Sequence, residues 1–263
     1  MTVLIPVLLY HSVHDRPERR DRPYAVSRAS FAAHADVISA SGRAAMHVSE
    51  LADALRALRP LPDRPLAVTF DDGFADNYEA VEVLLARDLP STVYVTTGAV
   101  GSRGRLSRAA VADLARLPSV ELGAHGVHHR HLDELDAPEL DREVCASKLQ
   151  LEDLIQMCVN SFAYPHGSYD RRVRETVIRA GYRSAAAVKN AISHAGDDPY
   201  AIARWTVTRA TPPARIAEVL EGDGIPLAWA DERLRTRVFR TVRRRRRLAG
   251  TLVGCTKQKA QTR

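Results

Sequence analysis

Four short segments, far apart along the chain, contain the residue types that activate water and move protons. Asp71 and Asp72 are adjacent in the run Thr69-Phe70-Asp71-Asp72-Gly73. Neighbouring carboxylates repel each other unless a cation or a proton is shared between them. The competing reading is a helix N-cap, because a helical stretch follows at 76–88. His125 and His129 lie four residues apart, with His128 and His131 beside them. That spacing lets one helical turn or a tight loop aim both imidazoles the same way. Two histidines and one carboxylate make an open three-ligand site for zinc or a similar divalent ion. Gly126 stands where an HExxH motif requires glutamate, so a zincin protease is excluded. His128 and His131 read as supporting or surface residues, and a solvated His-rich loop is the competing account of the whole segment. His11, after the first apolar run, and Tyr164-Pro165-His166 complete the set.

Each of these segments directly follows a short apolar run. The runs at 5–10, 66–70, 91–97, 120–124, 161–164, 182–188 and 202–207 are short, apolar and mostly rich in β-branched residues, as strands are. Between them, 76–88, 107–117, 138–155 and 171–181 carry helical periodicity, the last ending at Gly181. Alternation of this kind implies parallel strands with crossover helices. About seven strands in one domain fit a closed α/β barrel, with an open doubly wound sheet as the alternative. In a barrel the C-terminal strand ends share one mouth, so the four segments would converge there.

The segments Thr69–Gly73, Gly123–His129, Phe162–Gly167 and Leu8–Val13 resemble the polysaccharide deacetylases, carbohydrate esterase family 4 with the NodB-homology domain, over roughly residues 3–220. The resemblance implies an irregular, TIM-like (β/α)7 barrel that hydrolyses the acetamide of an N-acetylated sugar with a divalent metal, zinc being the expected ion. It assigns Asp71 as general base and Asp72, His125 and His129 as metal ligands. The family's catalytic acid is usually a histidine in a late Leu-x-His motif, but no histidine follows His194. Leu9-Tyr10-His11 fits that pattern at the other end of the chain, as in the circularly permuted branch that includes bacterial poly-N-acetylglucosamine deacetylases. His11 is therefore the expected acid, with His194 the alternative. Tyr164, Pro165, His166, Arg204 and Trp205 are expected around the sugar, with core burial the other reading of Tyr164 and Trp205. A backbone N–H near His166 is the candidate oxyanion donor.

Two positions depart from the family pattern. Gly126 replaces the usual Ser or Thr, and Ala163 replaces an arginine that holds the catalytic base. Arg204 is a candidate substitute for that arginine from a neighbouring strand, and an ordinary surface arginine is the competing reading. Ala163 is also the best argument for a non-catalytic carbohydrate-binding relative. A hydrolase of another non-peptide C–N bond is the remaining alternative.

The 263 residues suffice for one large domain, expected over 1–228, with a tail over 229–263. The formal charge of +6 hides a segregation. From Arg233 onward there are 12 Lys and Arg residues and no acid, leaving 26 basic against 32 acidic residues before it. The body is thus acidic, and nucleic-acid binding has no support. The tail reads either as a basic helix with an apolar stripe at Leu234, Val238 and Val242, suited to a membrane surface, or as a solvated, disordered segment. Three cysteines cannot all pair within one chain, which suits a reducing compartment. The opening apolar run ends at Tyr10, too short to span a bilayer, and has no signal-peptide pattern. A cytoplasmic location, peripheral to the inner membrane face through the tail, is the resulting expectation.

Overall fold

A computed structural model describes residues 2–229, so the expectations for the Arg-rich tail lie, but for Trp229, outside the described residues. Seven strands form the barrel: β1 (Val7–Tyr10), β2 (Pro65–Phe70), β3 (Ser91–Val95), β4 (Val120–Ala124), β5 (Ser161–Ala163), β6 (Ser184–Val188) and β7 (Ile202–Thr206). Every neighbouring pair is parallel, and β7 closes the ring by pairing with β1, Trp205 opposite Leu8. The strands match the expected runs to within two residues at each end, and the first run is split in two. That run breaks at Pro6, which has no N–H to donate to a ladder. Leu4–Ile5 ahead of it pairs antiparallel with Ser193–His194 instead.

The strands are mainly apolar because both faces are covered. Their outward residues, among them Leu8, Tyr10, Val68, Phe70, Phe162 and Tyr164, pack in the shell against the helices. The inward residues Val7, Ala67, Tyr94, Ala163, Ala186 and Ile202 form a separate core with Met46, Val48 and Leu51. The last two belong to the helix Val48–Leu55, which closes the N-terminal end of the barrel. Its first amides are taken by Thr92 Oγ1 and by Glu121, at the starts of β3 and β4. Inside the barrel, Gly123 is required by the Tyr94 ring: a Cβ there would lie 2.5 Å from two ring atoms.

The helices Asn77–Leu85, Arg108–Ala115 and Arg171–Arg179 fall where periodicity places them. Three more occupy stretches without an assigned element: Arg28–Ala40, Val48–Leu55 and Pro213–Glu221. The expected continuous helix over 138–155 is interrupted. A π-helical turn, Arg142–Ala146, joins Ala137–Asp141 to Ser147–Ile155.

Candidate active site

At the C-terminal mouth of the barrel lies a pocket of about 600 Å³. Asp71, Asp72, His125 and His129 line it together with His11, and further out with His166 and Trp205. Asp71 immediately follows β2 and is 2% exposed. Its two oxygens accept from Nη1 and Nη2 of Arg204 at 2.6 and 2.7 Å. Arg204, on β7, is itself sealed from solvent and also donates to Thr69 Oγ1 and Ala187 O. Burial alone would raise the Asp71 pKa, but the Arg204 charge and then the nearby His125 overcome it and hold the carboxyl at about 2. Asp71 is therefore ionised at neutral pH. The guanidinium missing at Ala163 is supplied across the barrel, and Arg204 is no surface residue.

Asp72, His125 and His129 each offer one ligand atom, and these atoms lie within 4.8 Å of one another. Asp72 Oδ1 is 3.2 Å from His129 Nε2 and 3.6 Å from His125 Nε2. His125 follows β4 and donates from Nδ1 to the carbonyl of Ala163 at 2.8 Å. That bond fixes the tautomer and leaves the Nε2 lone pair facing the carboxylates. Desolvation lowers the pKa of both imidazoles, His129 to about 4, where the neighbouring His125 adds to the effect. Both rings are thus neutral at pH 7, the state a metal requires. Two of the three positions have strained backbone, with φ of +75° at Asp72 and +54° at His129. Left-handed non-glycine residues of this kind cost about 1–3 kcal/mol each and gather at functional sites. The donor set suits a divalent ion with open positions. Asp71 and Asp72 do not cap the following helix, whose N-cap is Asp76.

His11 lines the pocket with its ring 5.2 Å from that of Tyr24. His194 is at the opposite end of the barrel. It pairs with Leu4 and contacts Asp197 and the carbonyl of Ala228. Tyr164 and Pro165 are buried and do not line the pocket; the Tyr164 hydroxyl donates to Tyr200 O. Strand parity explains this correction: Ala163 faces the barrel interior, so Tyr164 faces the helices. Nor does Arg204 face the pocket, since its fork is committed to Asp71. His166 does reach the mouth, its ring against His129 at 4.2 Å and stacked on His131 at 3.8 Å.

Sequence reasoning missed two groups of residues. Arg20, Asp21 and Tyr24 line the outer pocket from the loop after β1, in a charged stretch with no motif. Arg105 donates to the carbonyl of Asp72 at 3.2 Å and sits 3.6 Å from its carboxylate. Nothing in sequence distinguishes that arginine from its many neighbours.

A closed parallel barrel with a clamped carboxylate beside a His–His–Asp set defines a class of hydrolase scaffold. Residues 59–185 match the family described as polysaccharide deacetylase. YxkH of Bacillus subtilis (strain 168), which carries the polysaccharide deacetylase name, is 22% identical over 205 residues, covering 78% of this chain and 71% of that one. The structure of Streptococcus pyogenes deacetylase PplD in complex with acetate is similar with a TM-score of 0.76 and 21% identity, over 84% of this chain and 99% of that one. IcaB from Ammonifex degensii is similar with a TM-score of 0.70 and 23% identity, over 83% and 97%. At such identities the structural likeness speaks for the fold. Residues 59–185, just under half of the chain, thus carry the likeness to the polysaccharide deacetylases, a family of hydrolases acting on carbon–nitrogen bonds.

Proposed function

We propose that this protein is a metal-dependent N-deacetylase of an N-acetylated sugar, with Asp71 as base, His11 as acid, and zinc held by Asp72, His125 and His129. The observation that carries the proposal is the Arg204 fork on Asp71 directly beside the three-ligand set. A divalent ion in that set supplies Lewis acidity, polarising an amide carbonyl and making water more acidic. Asp71, ionised and fixed by Arg204, accepts a proton from the attacking water. His11, which lines the same pocket, donates a proton to the departing sugar amine. Trp205 and His166 line the space around the sugar, and the backbone N–H near His166 remains the candidate second donor to the oxyanion. The acid then lies at the N-terminal strand, in keeping with the permuted branch. The strongest argument for a non-catalytic relative was Ala163, and the Arg204 pair answers it.

Acetate release from N-acetylglucosamine oligomers should vanish on chelation and return with Zn²⁺. Asp72→Ala should lose the metal. His11→Ala should keep the metal and deacetylate poorly, by on the order of 10²–10⁴ in rate. Wild-type metal content in Asp72→Ala, or chelator-resistant turnover, would overturn the proposal.

A further inference from the structure

The loop between the two histidine ligands has a demanding conformation. Gly126 has φ +72° and His129 has φ +54°, so the segment carries two left-handed residues within four positions. An isolated loop would not hold that shape. Its carbonyls are held on one side, where Thr97 N donates to Gly126 O at 3.1 Å and Gly98 N to Val127 O at 3.0 Å. Its amides are held on the other side by a single side chain. Glu143 Oε2 accepts from the backbone N–H of both Val127 and His128 at 2.9 Å. Glu143 Oε1 lies 2.7 Å from His128 Nδ1.

Glu143 is 3% exposed and sits in the π-helical turn Arg142–Ala146 that interrupts the long helix. Such turns insert an extra residue and re-aim the side chains around them. A buried carboxylate is expensive unless several donors satisfy it, and here all the donors given above come from the ligand loop. Gly126 fits the same arrangement: a Cβ there would lie 3.1 Å from Glu143 Oε2 at a φ that side chains avoid.

We infer that Glu143 is a positioning residue that fixes the His125–His129 loop in its ligand-presenting shape, and so sets the affinity of the site for its metal. The inference rests on the metal site proposed above. Apoprotein of the full chain would be titrated with Co²⁺ and followed by absorbance, with circular dichroism and thermal melting of each apo form. Glu143→Ala and Glu143→Asp should weaken Co²⁺ binding about 10–100-fold, the range for residues that orient metal ligands. Aspartate is one methylene too short to reach both amides. Glu143→Gln keeps an oxygen for those amides and should stay within about threefold of wild type, since neutral acceptors still satisfy the backbone. His128→Ala should bind as wild type, because that ring is 70% exposed and the backbone bonds remain.

A merely structural Glu143 would lower melting temperatures and leave the Co²⁺ affinity of the folded variants unchanged, and that result overturns the inference. If Glu143→Ala does not fold, the Asp and Gln variants decide, and equal affinities in those two also overturn it. A wild-type chain that binds no Co²⁺ removes the proposed metal site itself, a failure distinct from wild-type binding that Glu143 does not influence.

Discussion

Inside the barrel Arg204 grips Asp71 through two nitrogens at 2.6 and 2.7 Å, and on the outside Arg174 grips Asp198 in the same forked way at 2.6 and 2.9 Å. The inner side chains are 0% and 3% exposed, the outer ones 34% and 32%. In the outer pair water competes for every bond, and such pairs contribute about 0–1 kcal/mol. In the inner pair desolvation penalises each ion by several kcal/mol, offset only while both partners are present. Apolar replacements of such buried pairs are often neutral or stabilising. A pair of this kind at the mouth of a pocket is therefore poorly explained by stability. It keeps one carboxylate ionised, oriented and sheltered beside a metal-ligand set, and that is a chemical requirement.

The comparison breaks most decisively at its inner half. Arg204→Met leaves Asp71 buried without its counter-ion, and should destabilise the fold by about 3–5 kcal/mol at pH 7. Denaturant unfolding would measure it. Acetate release should fall as well, because the base loses both its orientation and its charge. Asp71→Asn also leaves a buried charge unpaired, but the amide still offers an oxygen to Arg204 and the three ligands are untouched, so metal content of the folded variant should stay at the wild-type level. Turnover should nevertheless drop on the order of 10²–10⁴-fold, the usual loss when a general base is removed. Normal turnover in Asp71→Asn would place the base elsewhere.

Acid titration sharpens the contrast. The folded-state pKa of Asp71 is depressed from 3.8 to about 2, first against burial and then by Arg204 and His125. A depressed carboxylate contributes stability that is fully present above pH 3.8 and is lost as pH falls toward about 2. Without Arg204, burial dominates and the sign reverses: the folded carboxyl binds its proton more readily than the unfolded one. The stability deficit of Arg204→Met should therefore be greatest near pH 7 and shrink on acidification toward pH 4. Unfolding midpoints for both proteins across that range would show it. A deficit independent of pH would mean that lost packing, not charge, explains the variant.

Much of this arrangement was legible in the sequence. Parallel strands covered on both faces read as short apolar runs, and the chemistry-bearing residues Asp71 and His125 come directly after two of them. The helix Arg28–Ala40 went unassigned, although Phe31, Ala35 and Ile38 stand at helical spacing behind the Ser27 cap. What sequence cannot show is partnership across the barrel. Arg204 is one of 38 basic residues, and it meets an aspartate 133 positions earlier. Glu143 is hidden for another reason: a regular 3.6-residue period over 138–155 gives no hint of the π turn in which it sits. Tyr164 misled because its motif suggested the pocket, whereas strand parity turns it into the shell.

The smallest effect tests the outer half. Asp198 has a lowered pKa: burial opposes the shift, and the Arg174 fork and the Tyr200 amide outweigh it. Its pH-dependent contribution therefore has the same sign as that of Asp71, present above the usual aspartate pKa and lost below it. Partial exposure screens it, and Arg174 retains other surroundings when the partner is removed, including the Tyr200 ring at 5.3 Å. Asp198→Asn also keeps an oxygen for the Tyr200 amide. The variant should lose no more than about 1 kcal/mol, less in high salt, and release acetate at the wild-type rate. Denaturant unfolding at two ionic strengths beside an activity assay measures all three. A loss as large as that of Arg204→Met would mean that geometry, not burial, governs both pairs, and the reading of the inner pair as a functional device would lose its basis.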